Sequence, residues 1–373
     1  MLASALPRDM SDDAPDPDTD PLESYLAETL GERVVDTAVM EAGLNRVIRV
    51  ATAEDPRAYV IRQPNSDRTD HGFVDIATEH AVMERLEPTD VPAPKAVSFC
   101  EDESVLGGPF SVIEYLDGDG IDWGDPLPAG HRDEESRTRV GELLADRLSD
   151  LHTLDAGRFA GVCERVDTRT QLDRTLAQLE AATSETGHEP AALDRVANWL
   201  GANAPDRSAT ALVHGDYKPD NVCFTWGERP RVSGVVDWET AKLRDPRTEL
   251  GYLLFYWREQ GGPSPPLDDL AERHPDPVVA EIREREQRGF WPFTKRPGSP
   301  SRRELVARWE DATRLAYGDD RFYRAFAAVM LATVWEGLYA DALECGEEAA
   351  DWEAHIEYVA MLAEAVVDGD LPL

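Results

Sequence analysis

Leu212-Val-His-Gly-Asp-Tyr-Lys-Pro-Asp-Asn-Val-Cys-Phe224, followed by Val235-Val-Asp-Trp-Glu239, is the part of the chain from which the fold can be read. Its first half has the form H-x-D-x-x-x-x-N, with Asp216 and Asn221 between the apolar runs 211–213 and 222–224. Sixteen residues beyond Asn221, Asp237 ends the β-branched pair Val235-Val236. Such runs predict short strands with the polar residues gathered at their ends. A carboxylate near an attacking hydroxyl, with an amide and a second carboxylate for a hard cation, is the set that phosphoryl transfer needs. Each piece alone is a common turn or strand end. Together they predict a phosphotransferase-type site, with Asp216 accepting or orienting the hydroxyl proton and Asn221 and Asp237 as oxygen ligands for Mg²⁺.

The two motifs resemble those of the aminoglycoside phosphotransferase family, which shares the protein-kinase-like fold. The nearer likeness is to its branch whose members occur alone or fused to acyl-CoA dehydrogenase domains. It spans about residues 34–346 and also draws on segments 105–118, 148–155, 245–252, 302–308 and 322–339. The resemblance implies an α+β, bilobal, protein-kinase-like fold: a small β-rich N-lobe over 24–116 that binds nucleotide, and a larger, mainly helical C-lobe over 117–373 that carries the catalytic loop and acceptor site. It implies ATP and Mg²⁺ as cofactors and a small-molecule acceptor.

Carried over position by position, the family's roles fall on Asp216 as the catalytic carboxylate and on Asn221 and Asp237 as metal ligands. A basic residue tethering the nucleotide's α- and β-phosphates falls on Arg62, paired with Glu79. Arginine instead of lysine departs from the wider kinase pattern, although its planar fork can hold a carboxylate and a phosphate together. The hinge residues Glu114, Tyr115 and Leu116 are expected to receive the base through their backbone. The resemblance places the phosphate-covering loop at segment 41–46, with Gly43 and Asn45, although the segment lacks G-x-G-x-x-G. Lys218 departs from the branch and looks closer to a protein-kinase catalytic loop, where it would reach the transferring phosphoryl group.

Other nearby residues carry readings of their own. Asp245 either orients the catalytic loop or caps a helix, and His214 packs beneath the loop. Trp238, Tyr252, Tyr256 and Trp257 are candidates for the acceptor wall or for plain core. The branch implies a hydroxyacyl-type acceptor, including a hydroxyacyl-CoA, whose phosphates the arginine-rich stretch 283–303 would meet. An amino sugar or amino alcohol is the rival acceptor. A non-catalytic nucleotide-binding regulatory module is the rival class, and pseudokinases usually lose a base or metal ligand that is present here.

The charge balance is unusual. Asp and Glu number 74 against 38 Lys and Arg, a net charge of −36, and only four of the basic residues are lysines. Acidity along the whole length suggests adaptation to a high-salt cytoplasm, where screening relieves self-repulsion. It argues against nucleic acid and anionic membranes as partners, both of which need a basic footprint. Residues 1–23 form an acidic Pro/Asp tail expected to be disordered, with no apolar signal core and Met10 as an alternative start. No run of about 18 apolar residues predicts a membrane span. The four cysteines make no metal-binding spacing, so free thiols and a cytoplasmic location are expected.

Along the chain, 46–51 and 58–62 alternate as a hairpin, and 96–100 and 110–116 read as further strands. Apolar spacing predicts helices over 75–86, 135–154, 171–181 and 191–200. Asp117-Gly-Asp-Gly120 is the expected interlobe crossover. Segment 261–300, rich in Pro and charge, reads as an insertion capping a helical C-terminal half. The oligomeric state is left open.

Overall fold

In the N-terminal third, alternating apolar residues build one antiparallel sheet. The structure, a computed structural model, describes residues 20–373 apart from 43–44, 57, 66–72, 207, 347–348 and 350. The sheet runs β1-β2-β3-β5-β4, from β1 (Val34–Ala42), β2 (Asn45–Thr52), β3 (Tyr59–Pro64), β4 (Ala96–Cys100) and β5 (Phe110–Glu114). Ile48, Val50, Ile61, Phe110 and Val112 are buried together with Leu22 and Leu26 of α1 (Asp20–Leu30). The helix α1 therefore starts inside the segment read as an acidic tail, whose residues 1–19 lie outside the described residues. Its partner α2 (Ile76–Leu86) is capped by Asp75, which accepts from the Thr78 amide at 2.6 Å, and buries Val82, Met83 and Leu86 in the larger core. The edge strand β1 was not predicted. Its pairing with β2 slips between Val34 and Asp36 and between Val39 and Glu41, and Val35, Val39 and Met40 are exposed, so no clean alternation marks it.

After a single turn, α3 (Glu103–Leu106), and β5, the chain crosses to a helical lobe. It contains α4 (Glu134–His152), α5 (Thr168–Thr186), α6 (Ala191–Asn203), α7 (Pro246–Tyr256), α8 (Asp268–Arg273), α9 (Asp276–Arg288), α10 (Arg302–Thr313), α11 (Asp320–Cys345) and α12 (Trp352–Asp368). The Pro- and charge-rich segment 261–300, read as an insertion, contains two helices, α8 and α9. By length and composition α11 is apolar enough to cross a membrane, a pattern the sequence reading passed over. Here Phe322, Phe326, Val329 and Ala332 are buried as α11 packs against α5, α7 and α12, the behaviour of a core helix.

Two small antiparallel pairs carry the motifs: β6 (Ala211–Val213) with β9 (Lys242–Arg244), and β7 (Val222–Trp226) with β8 (Pro230–Val235). Pairing of Val222 with Val235 brings the residues on either side, Asn221 and Val236-Asp237, together at one end of the hairpin. The crossover lies directly on this hairpin, Asp119 and Phe224 exchanging backbone hydrogen bonds at 3.1 and 2.9 Å. A side chain at Gly120 would put its Cβ 2.0 Å from the Asp220 carbonyl, so only glycine allows so close an approach.

Candidate active site

The candidate catalytic loop is shaped by backbone ties that its sequence only partly announces. Gly215 turns with φ +89° against Thr240, whose carbonyl would lie 2.5 Å from any Cβ there. Glu249 on α7 accepts both neighbouring amides, His214 N–H at 3.0 Å and Gly215 N–H at 2.5 Å. The same carboxylate meets His152 Nε2 of α4 at 2.9 Å, and His152 Nδ1 accepts from the Trp309 indole at 2.9 Å. Because Trp309 is a donor only, the His152 proton sits on Nε2 and points at Glu249. Tyr217 is fully buried and donates to the Leu144 carbonyl at 2.7 Å. His214 packs beneath the loop as expected. Its Nδ1 accepts from the Asp216 amide at 3.3 Å and its Nε2 donates to the Val236 carbonyl at 2.7 Å. The Val236 amide in turn donates to the Asn221 carbonyl at 2.9 Å, joining the two motifs.

Asp216 sits at the centre of this frame with 13% of its side chain exposed, enough for a hydroxyl to reach it. Oδ1 accepts from the Tyr252 hydroxyl at 2.6 Å; Oδ2 meets Lys218 Nζ at 3.0 Å and Asn221 Nδ2 at 3.1 Å. Burial opposes its charge, but the Lys218 ammonium and the Tyr252 hydroxyl outweigh burial and hold the carboxyl below its usual range. Lys218, itself buried, is stabilised as a cation by Asp216 and Asp220 against the cost of desolvation. Asp220 accepts from the Trp291 indole at 2.8 Å, and burial pushes its carboxyl up to about 6.

Asn221 is buried, and its Nδ2 is spent on Asp216 while its Oδ1 has no hydrogen-bond partner. Asp237 takes the left-handed conformation, φ 73° and ψ 56°, which a non-glycine residue adopts only under local constraint. Its carboxylate is buried yet held far below the usual range: Arg62 beside it outweighs the desolvation. An orphaned amide oxygen near a buried carboxylate that Arg62 holds as its anion fits a hard divalent cation. Among the described residues, no group of three or more His, Cys, Asp and Glu side chains forms a metal cage. A Mg²⁺ bound through one or two carboxylates and substrate phosphates needs none.

The sheet side supplies the basic residue. Arg62 Nε lies 2.9 Å from Glu79, the pair expected from the sequence, while Nη2 lies 2.5 Å from Asp237 and 3.4 Å from Glu239. Arg62 therefore spans the lobes and reaches a carboxylate assigned to metal. Asn45 departs from expectation: its Nδ2 donates to Glu239 at 2.9 Å, because the β1–β2 hairpin leans onto the loop after Asp237. Gly43, its companion in the covering loop, lies outside the described residues. At the hinge, the Glu114 amide donates to the Lys95 carbonyl and the Tyr115 amide to the Ala58 carbonyl. Those two amides are committed within the lobe, and Leu116 beside them is half-buried.

Alternatives left open by the sequence resolve at several neighbouring residues. Trp238 is core, with its indole donating to the Val235 carbonyl and its ring 4.7 Å from His214. Trp257 is also core, donating to the Pro300 carbonyl. Asp245 caps α7 through the Arg247 amide and accepts from the Ala209 amide, and the loop-orienting carboxylate is Glu249 instead. Of the arginine-rich stretch, Arg285 is buried against Glu281 and Arg302 against the Leu254 and Pro372 carbonyls, whereas Arg283, Arg288, Arg296 and Arg303 remain exposed. The sequence reading gave Glu249 no role. An acid opening the otherwise apolar helical run 250–257 was the available signal.

Residues 41–285 match the model of the phosphotransferase enzyme family. Acyl-CoA dehydrogenase family member 10 of Mus musculus is 31% identical over 249 residues, 64% of this chain and 22% of that protein. Family member 11 of Homo sapiens is 28% identical over 269 residues, 63% of this chain and 33% of that protein. The chain thus spans a third or less of the length of these relatives. Among solved structures, a Ralstonia eutropha protein provisionally assigned as an aminoglycoside phosphotransferase superposes with a TM-score of 0.71 at 24% identity, over 94% of this chain and 98% of its own, a likeness of fold.

Proposed function

The chain belongs to the phosphotransferase enzyme family, and from that premise we propose that it is an ATP-using, Mg²⁺-dependent kinase that phosphorylates a hydroxyl of a small molecule. One observation carries the reading: the buried, unpartnered Oδ1 of Asn221 beside the ionised Asp237, five residues from a carboxylate still open to solvent. A Mg²⁺ held by Asn221 and Asp237 supplies charge neutralisation around the nucleotide phosphates. The residues of the chain do the rest. Asp216 aligns the acceptor hydroxyl and takes its proton as the oxygen bonds to the γ-phosphorus. The bond to the leaving oxygen breaks, and its electron pair leaves with ADP. Lys218 offsets charge at the transferring group, and Arg62 moves from Asp237 toward the nucleotide phosphates while Glu79 keeps its Nε.

For the acceptor, the reading is a hydroxyacyl compound, a hydroxyacyl-CoA included. Its support is the likeness to acyl-CoA dehydrogenase family members and the aromatic surroundings of Asp216: Tyr252 at 2.6 Å, then Tyr256, Trp123, Phe290 and Trp291 in edge contact. The test is Mg²⁺-dependent ATP consumption in molar KCl across hydroxyacyl-CoAs, amino sugars and amino alcohols, with Asp216→Asn as control. Turnover of one class, lost in the variant, supports the kinase and names its acceptor. An amino sugar as the sole substrate would overturn the acyl reading, and ATP binding without any turnover would favour a regulatory module.

A further inference from the structure

One face of α7 governs the catalytic loop twice. Glu249 holds the loop's backbone amides; Tyr252, three residues later and on the same face, donates its hydroxyl to the Asp216 side chain at 2.6 Å. Lys218 and Asn221, the donors at the other oxygen of Asp216, belong to the loop and move with it. Tyr252 belongs to a helix in which every residue but Arg247 is buried. Its ring packs edge-on against Tyr256 at 4.9 Å, and the Tyr256 hydroxyl donates to the Tyr252 hydroxyl at 3.4 Å, leaving the Tyr252 proton aimed at Asp216.

We propose that Tyr252 is a positioning residue for phosphoryl transfer, which fixes the rotation of the Asp216 carboxylate against the rigid face of α7. The inference rests on the kinase reading above. Without Tyr252 the carboxylate is held only by groups on its own loop, and its free lone pair no longer points steadily at the attacking oxygen. Misplacement of such a group on the scale of an ångström costs up to about a hundredfold in rate.

Because the acceptor is unidentified, the probe is MgATP alone, with water as acceptor and phosphate release as readout. Tyr252→Phe keeps the ring and its packing. It is expected to lower hydrolysis roughly ten- to a hundredfold with the MgATP dissociation constant and the thermal midpoint nearly unchanged, and Tyr252→Gln, which returns a donor, recovers part of the rate. Introduced into Asp216→Asn, Tyr252→Phe should cost nothing further, since a residue acting through Asp216 has nothing left to position. Hydrolysis at the wild-type rate in Tyr252→Phe, or a full additional loss in the double variant, would overturn the inference while leaving the kinase reading intact. A wild-type protein that binds MgATP but neither hydrolyses it nor turns over any acceptor class of the screen above removes the kinase reading, and this inference with it.

Discussion

Asp216, Asn221 and Asp237 were legible as candidates because each lies near the end of a short apolar run; pairing of β7 with β8 brings Asn221 and Asp237 together, and the loop carries Asp216 to within 3.1 Å of the Asn221 side-chain amide. Asp216→Asn is expected to lower turnover about 10²–10⁴-fold, the usual worth of a positioned acid–base group, with MgATP affinity nearly unchanged by calorimetry. Asp237→Ala should abolish Mg²⁺-dependent nucleotide binding, because Asn221 alone offers one neutral ligand. Retained Mg²⁺-dependent affinity would remove Asp237 from the metal set. The pairing of Arg62 with Glu79 was readable, but not the contact of Arg62 with Asp237. That contact joins positions 175 apart in the chain, and no local pattern encodes it.

Among the elements, α7 bears most on the loop. Glu249→Ala leaves two buried amides and His152 without their acceptor, at roughly 1–3 kcal/mol for each unpaired group. Denaturant unfolding should read that loss together with a fall in turnover. Glu249→Gln should lose less, since an amide oxygen still accepts. A different element junction answers to pH. His188, on the loop after α5, lies 3.0 Å from Glu336 of α11 and 3.7 Å from Glu357 of α12. Burial opposes its charge, but the two carboxylates outweigh it and push the imidazole up to about 9, above its unfolded value of 6.5. The stability this junction contributes is fully present below pH 6.5 and is lost as pH rises through about 9. The thermal midpoint should therefore fall more steeply between those values in the wild type than in His188→Gln, and equal slopes would dismiss the junction. Elements with clean periodicity, such as α2, α4 and β4, could be read in advance. The edge strand β1 could not, because its slips in register expose the apolar residues that alternation would have buried.

For the whole molecule, a net charge of −36 predicts self-repulsion that salt relieves. Thermal unfolding followed by circular dichroism should show the midpoint rising from 0.05 to 1 M KCl, as the Debye length shrinks to about 3 Å. A flat or falling profile would mean that the acidic surface carries no such penalty. Charge, composition and the two motifs with their flanking strands are written in consecutive residues, so the sequence by itself determined the fold family, the bilobal plan and which residues stand as candidates for the reacting groups. Only the tertiary structure decided what holds those groups in place. Glu249 under the loop amides, Tyr252 on Asp216, Arg62 across the lobes and Trp291 on Asp220 are contacts between residues 34 to 175 positions apart. Their energies arise when packing removes water from both partners, and that desolvation exists only once the helices and the sheet have closed around the loop.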